Sequence, residues 1–301
     1  MARRVALSEI RSRTYKQRDA WWTVWLVDPL ASRLVWLVSP FRWITPNLLT
    51  AGAFVIGLGS AAAFWQARHG GYGWLLFGAV LFHLSFVLDC MDGKIARLNG
   101  TGSVFGAWLD YVFDRLRVAA CTIALFGGQY SHTHDFVYIW LGGLVLFLDM
   151  FRYLNALQMG KVKADMRTSL AAVRGPEPAP VAEAAAEAES ADADDVFSDF
   201  RSRFGLFVRV RNALFGQRIR AHVFSGIEFM MFVFIVGPVV NLIVGITVVS
   251  AVLMIGFELL LIYKLYSATR TYERKMAAAP VFPAQHSHNT LSMSATSVST
   301  E

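Results

Sequence analysis

Residues 73–114 read GWLLFGAVLFHLSFVLDCMDGKIARLNGTGSVFGAWLDYVFD, and this stretch decides what kind of protein the chain is. It opens with a long apolar run and then sets Asp89, Asp92, Asp110 and Asp114 at helical spacing. Carboxylates inside a membrane segment are expensive and by default mark a functional site. Asp89 and Asp92 share one helical face by their spacing, and Asp110 and Asp114 share another. Asn99-Gly100 and Thr101-Gly102 between them are turn signals. The chain is therefore expected to reverse there, so that the two carboxylate faces meet across an antiparallel helix pair.

The rest of the composition agrees with a membrane setting. The chain has 301 residues, 55% hydrophobic and only 17% charged, with a mean hydropathy of +0.44. A soluble domain carries nearer a quarter charged residues. The apolar residues cluster into about six windows long enough to cross a hydrocarbon core of about 30 Å. These are Leu48–Gln66, Gly73–Asp92, Phe105–Gly127, Phe136–Leu157, Val223–Val240 and Leu242–Tyr263. The expected fold is all-α: a polytopic membrane protein of six transmembrane helices, preceded by an interfacial amphipathic helix.

Charge sets the orientation. Of the 28 Lys and Arg residues, Arg68 alone falls on the face opposite the others in a six-span layout with both termini inside. That bias predicts a multi-pass protein of the cell membrane with cytoplasmic termini. It also explains the net charge of +6 by topology and anionic lipid, leaving no case for a nucleic-acid partner, which would want a basic face on a soluble module. Cys90 and Cys121 lie within predicted spans and give no disulfide framework. The Arg-rich start runs into Trp21, Trp22, Trp25 and Asp28 before any clean apolar run, so no cleavable signal peptide is expected.

Outside the spans the chain divides by composition. Residues 1–46 are a basic, Trp-rich juxtamembrane segment suited to the headgroup region, with Asp28-Pro29 and Ser39-Pro40 expected to break its helix. Thr45-Pro46-Asn47 opens the first span, Thr45 as N-cap and Pro46 at the first helical position. Residues 47–158 and 221–268 hold the six helices, with 159–220 a cytoplasmic insertion between them. Within the insertion, 174–199 is Pro-, Ala- and Glu-rich and expected to be disordered. Residues 200–220 alternate arginines with apolar residues, as a second surface helix facing anionic headgroups or a phosphorylated substrate would. Residues 269–301 are expected to be a disordered tail.

The motif residues fit a definite chemistry. Several Asp in one low-dielectric site cannot all stay ionised without counter-charge, and bound divalent cations supply it. All-oxygen ligands favour hard ions, Mg2+ or Mn2+. Gly93, Ala96 and Gly106 lack bulk where helices and a ligand approach closely, and Arg97 offers phosphate a planar fork of donors. Metals, a small-residue cleft and an arginine are the parts of a phosphoryl-transfer site. A carboxylate left outside the metal shell would be free to take a proton from an attacking hydroxyl.

The run Asp89-x-x-Asp92-Gly93-x-x-Ala96-Arg97 followed by Gly106-x-x-x-Asp110-x-x-x-Asp114 resembles, at every fixed position, the signature of the CDP-alcohol phosphotransferases (CDP-alcohol phosphatidyltransferases). The six-span layout and the Pro-Asn start of the first span are also similar. The resemblance implies transfer of a substituted phosphate from a CDP-linked donor to an alcohol acceptor, with release of CMP, as in phospholipid biosynthesis. It implies a two-metal centre on Asp89, Asp92 and Asp110, with Asp114 completing the cluster and serving as general base. It further implies that Gly93, Ala96 and Gly106 line the cytidine-diphosphate pocket, that Arg97 touches the diphosphate, and that the protein is a homodimer. CDP-diacylglycerol with a polar acceptor is the commonest arrangement in such enzymes; a CDP-linked polar alcohol given to a lipid or sugar-phosphate acceptor uses the same motif.

A cation- or proton-coupled transporter is the competing class, because intramembrane acids also mark ion pathways. A transport path needs acids spread through the bilayer depth, whereas these cluster toward one face beside Arg97. A catalytically silent lipid-binding paralogue is a weaker reading, against which the intact aspartates stand. Of the remaining polar residues, Asp149 and Arg152 are expected in an interhelical pair, with an acceptor contact as the alternative. Glu228 is expected against Arg115 or Arg117, at least one of which neutralises the aspartates. His83 is expected as a hydrogen-bonded packing residue.

Overall fold

The structure, a computed structural model, describes residues 6–41, 43–174, 218–220 and 224–277. The acidic stretch from 175, the basic stretch up to 217 and the tail from 278 lie outside the described residues. Among the described residues every regular element is a helix, and the one β-type contact is an isolated bridge between Asp19 and Ile219. In chain order the helices are α1 (Leu7–Thr14), α2 (Asp28–Val38), α3 (Pro46–Gln66), α4 (Tyr72–Asn99), α5 (Val104–Thr133), α6 (Val137–Arg174), α7 (Gly226–Val239) and α8 (Ile243–Ala277).

Their ends follow the local chemistry. Thr45 caps α3, its hydroxyl oxygen accepting from the Leu48 amide at 3.3 Å, with Pro46 at the first position. Gly100 ends α4 at φ +64°, a left-handed turn that glycine adopts at no steric cost. Ser103 then caps α5 by accepting from the Gly106 amide at 3.0 Å. Ser225 and Glu228 form a reciprocal capping box at the start of α7.

Four stretches are long and apolar enough to cross a membrane: Pro46–His69, Tyr72–Asn99, Val137–Leu170 and Ile243–Arg274. The sequence led us to expect six. Of the other two, α5 has 30 residues but carries acids and arginines through its first half. The second, α7, reaches only about 21 Å at ~1.5 Å per residue. Conversely, α6 and α8 run past their expected spans, and α8 carries the stretch from 269 to Ala277 as helix where a tail was expected.

The platform of the fold is α3, which packs along both α4 and α5. Its face toward them is stepped with small residues at Ala53, Gly57 and Ala61, all buried, which lets backbones approach closely. Ser85 donates to the Ala53 carbonyl at 2.6 Å and Ser60 to the Gly78 carbonyl at 2.7 Å, tying α3 to α4. Phe64, Phe82, Phe126, Phe229 and Phe234 fill the centre, each no more than 2% exposed.

Two helices continue through a proline by widening. The expected break at Asp28-Pro29 is instead a π-helical turn, Thr23–Val27, that runs directly into α2. Within α7 the same device recurs, a π turn at Phe232–Val236 just ahead of Pro238. Proline clashes with the carbonyl four residues back, and the wider turn moves that carbonyl aside. The residues just ahead of the first widened turn meet the second, Trp21 and Trp22 each lying 6.4 Å from the Phe232 ring.

The N-terminal segment is two helices docked against α4 rather than one lying free. Ile10 and Thr14 of α1 and Ala31, Ser32 and Val35 of α2 are buried, whereas Trp25, Leu37 and Trp43 remain exposed. A buried ion pair fixes the docking: Lys94 on α4 donates to Asp28 at 2.6 Å, with both side chains 5% exposed or less. Arg218 reaches the other Asp28 oxygen at 3.3 Å, and its guanidinium lies 4.3 Å from the Tyr15 ring. Removing one partner of such a pair strands a desolvated charge. Lys94→Met alone is therefore expected to destabilise the protein by about 3 kcal/mol, and Asp28→Leu with Lys94→Met by much less. Thermal unfolding in detergent checks this; equal losses for the single and double variants would show that the pair does not carry the docking.

Candidate active site

The last turns of α4 carry Asp89 and Asp92, and the first turns of α5 carry Asp110 and Asp114. Gly100 reverses the chain between them, with the Thr101 amide donating to the Ala96 carbonyl at 3.0 Å. One carboxylate oxygen each from Asp89, Asp92 and Asp110 lies within 4.8 Å of the others. Asp92 is buried and the other two half-buried. The donor set is entirely carboxylate and converges from two helices, which fits a hard divalent cation.

The two helices do not form this cluster by packing tightly on one another. Both lean on α3, which contributes directly: the Thr50 hydroxyl donates to Asp92 at 2.5 Å. That contact orients one carboxylate of the cluster from outside the helix pair. Gly106 faces the start of α3, where a Cβ would come within 2.9 Å of both the Asn47 amide oxygen and the Ser103 hydroxyl. No side chain larger than hydrogen fits there without displacing both of them.

Asp114 stands apart from the triad in two arginine contacts. Arg117 donates to its Oδ1 and Arg115 to its Oδ2. Arg117 also approaches Asp89 at 3.5 Å and donates to the Ser85 hydroxyl at 2.9 Å, with its side chain only 2% exposed. Arg115 extends the other way, to Asp149 and Tyr153 on α6, donating to the Tyr153 hydroxyl at 2.7 Å and lying 3.5 Å from its ring centre. The expectation that one of these arginines neutralises the aspartates is met by both. The arrangement balances anionic side chains with internal cations, which is how buried charge is tolerated.

Arg97 is exposed at the end of α4, and its Nε donates to the Thr14 carbonyl at 2.9 Å. A Cβ on Gly93 would sit 3.5 Å from one Arg97 terminal nitrogen, so the guanidinium lies across the bare face of that glycine. Ala96 is half-buried on the same helix. Arg97 and Gly93 are thus together, and Gly106 lies across the turn beside the start of α3.

Several polar residues differ from the sequence reading. Glu228 does not meet Arg115 or Arg117; its carboxylate accepts from the Ser225 amide at 3.0 Å and the Ser225 hydroxyl at 2.6 Å, because the helix start needs that cap. Asp149 and Arg152 each make interhelical pairs, but with Arg115 and Glu258 rather than with each other. Asn155 shares Glu258 at 2.6 Å. His83 packs as expected, its ring 6.3 Å from Trp22, while its Nδ1 makes no hydrogen bond among the described residues. Cys90 and Cys121 are free thiols.

Thr50, Gly57, Ser85 and Tyr153 were not singled out from the sequence. Each is an ordinary residue in an apolar helix, and nothing in its local pattern names a partner on another helix. The Pro46-Asn47 start of α3 was the one signal on that helix, and Asn47 does face the turn side at Gly106.

Comparison with known proteins bears on the same region. Residues 43–179 match the CDP-alcohol phosphatidyltransferase family. The chain is 38% identical over 81 residues to a bifunctional IPC transferase and DIPP synthase of Aquifex aeolicus, covering 27% of this chain and 16% of that protein. It is 34% identical over 91 residues to a phosphatidylinositol phosphate synthase of Corynebacterium glutamicum, covering 30% and 37%. It is 32% identical over 110 residues to a CDP-diacylglycerol–glycerol-3-phosphate 3-phosphatidyltransferase of Cereibacter sphaeroides, covering 36% and 48%. The matched stretch therefore spans less than half the length of each of these relatives. Residues 43–179, with all four motif aspartates inside them, match a CDP-alcohol phosphatidyltransferase domain.

Proposed function

We propose that the protein is an integral-membrane transferase that moves a substituted phosphate from a CDP-linked donor, CDP-diacylglycerol, to a phosphorylated polyol, releasing CMP. The observation that carries this reading is the convergence of Asp89, Asp92 and Asp110 oxygens within 4.8 Å, beside Arg97 and a glycine-faced turn. The names of two similar proteins, a phosphatidylinositol phosphate synthase and a CDP-diacylglycerol–glycerol-3-phosphate 3-phosphatidyltransferase, support a lipid donor and a phosphorylated acceptor.

Asp89, Asp92 and Asp110 hold divalent cations, Mg2+ or Mn2+. When bound, those cations neutralise diphosphate charge and make the CMP oxygen a better leaving group. Arg97 binds the diphosphate through its terminal nitrogens, its Nε being held by the Thr14 carbonyl. Gly93, Ala96 and Gly106 leave room for the nucleotide to approach the backbone. Asp114 takes the proton of the acceptor hydroxyl as its oxygen bonds to the transferred phosphorus, while the bond from that phosphorus to the CMP oxygen breaks.

In the bilayer we assign six crossings and cytoplasmic termini, from the one-sided distribution of Lys and Arg. The four long apolar helices support four of the crossings; α5 makes a fifth, and α7 makes the sixth with its flanking residues. A homodimer follows from the family resemblance. The protein folds as the six-helix domain with the N-terminal segment and the insertion on the cytoplasmic side.

Purified protein in mixed micelles is expected to release CMP from CDP-diacylglycerol with glycerol 3-phosphate or an inositol phosphate, the product identified by mass. Release only from a CDP-linked polar alcohol would reverse the donor assignment, and release from no donor would remove the transferase reading. Turnover should vanish on exhaustive chelation and return with Mg2+ or Mn2+; full activity without divalent cation sinks the metal assignment.

Asp114→Asn should lower CMP release about a thousandfold, the scale of a lost general base, while CDP binding measured by calorimetry persists. Near-native turnover in that variant would remove Asp114 as the base.

A further inference from the structure

Arg117 lies outside the motif, yet its buried side chain reaches Asp89, Asp114 and Ser85. It leaves α5 and crosses to α3 at Gly57. A Cβ at Gly57 would fall 2.5 Å from Arg117 Cδ and 2.6 Å from its Cγ, distances at which something must move. Beyond that notch its Nη1 donates to the Ser85 hydroxyl at 2.9 Å. Ser85 is in turn oriented by donating to the Ala53 carbonyl at 2.6 Å, which leaves its lone pair for the arginine. The guanidinium arrives between Asp89 of α4, at 3.5 Å, and Oδ1 of Asp114 on α5.

The position is a costly one. Arg117 Nε is buried without a hydrogen-bond partner among the described residues, and a buried donor left unmade costs free energy. Arg115 shares that cost, its own Nε likewise unpartnered among the described residues, and besides Oδ2 of Asp114 it holds Asp149 and Tyr153 on α6. One cation of the pair is locked in a helix notch; the other has somewhere to stay if Asp114 lets go.

We infer that Arg117, seated by Gly57 and Ser85, is a positioning residue that fixes Asp114 through Oδ1 and offsets Asp89, leaving Asp114 Oδ2 as the oxygen released for reaction. The inference rests on the transferase reading above, in which Asp89 holds metal and Asp114 takes a proton. Two opposite consequences follow from one side chain. As a cation beside Asp89, Arg117 opposes metal binding by like charge. As the anchor of Asp114, it supports turnover.

The test compares wild type with Arg117→Met, Arg117→Lys and Gly57→Ala, each first checked for monodispersity in detergent. Mn2+ binding is read by electron paramagnetic resonance without substrate, and kcat and KM by CMP release. In Arg117→Met, Mn2+ should bind about tenfold tighter, the scale of a change in an outer-shell partner. In the same variant kcat should fall roughly a hundredfold, as misplacement of a reacting group by an ångström does, with KM for the donor little changed. Arg117→Lys should recover part of both. Gly57→Ala touches no aspartate and should move both quantities the same way to a smaller extent; it carries the test if Arg117→Met does not fold. Metal binding and turnover falling together in every folded variant would make Arg117 merely structural, and unchanged kcat would likewise overturn the inference. A wild-type protein that binds no Mn2+ and releases no CMP would instead overturn the transferase reading itself.

Discussion

Charge balance in a dry place is the constraint on which this protein is built. Three aspartates share one small volume and a fourth stands next to it, in a chain otherwise made to face lipid. A carboxylate in such surroundings must be paired, protonated or ligated. The structure answers for Asp114 with two arginines and for Asp92 with a threonine hydroxyl. Among the described residues Asp110 pairs with no arginine, and its oxygen lies with those of Asp89 and Asp92. The internal cations thus hold the site together on one side and leave charge to be met on the other.

Helix α3 makes that balance possible. Its buried small residues let α4 and α5 both lie close to it, and three positions along it serve the site or its frame. Thr50 orients Asp92, the Ala53 carbonyl fixes Ser85, and Gly57 admits Arg117. The motif lies on α4 and α5, but its geometry is set from α3. The motif alone would therefore not assemble the site, because tight approach of helices in lipid depends on small residues and polar contacts rather than on hydrophobic burial.

Much of this was legible in the sequence, because the informative signals were local. Thr45-Pro46, Asn99-Gly100 and the spacing of the aspartates each act within a turn or two of helix, and each places its element where the structure has it. What was not legible depends on partners distant in sequence. Glu228 reads as a charge seeking an arginine, yet its own helix start claims it first. Asp28-Pro29 reads as a break, yet a π turn costs less than ending a helix whose apolar face is already docked. Gly57 reads as one more small residue in an apolar run, and only the path of Arg117 gives it meaning.

The boundaries of the family match do not coincide with the boundaries of the structure that supports the site. The match begins at residue 43 and ends at 179. The motif helix, however, is held from outside those limits. Asp28 takes Lys94, the residue after the motif Gly93, in a buried pair, and the Thr14 carbonyl takes Nε of the motif arginine Arg97. Arg218 closes on Asp28 from the far end of the chain, while Asp19 and residues 218–220 exchange backbone hydrogen bonds. A charge as well buried as Asp28 cannot lose its lysine without strain on everything packed around it. The end of α4 that offers Arg97 to a ligand is therefore as dependent on residues 14–28 and 218–220 as on the motif itself, and the N-terminal segment is part of the site's frame rather than an anchor beside it.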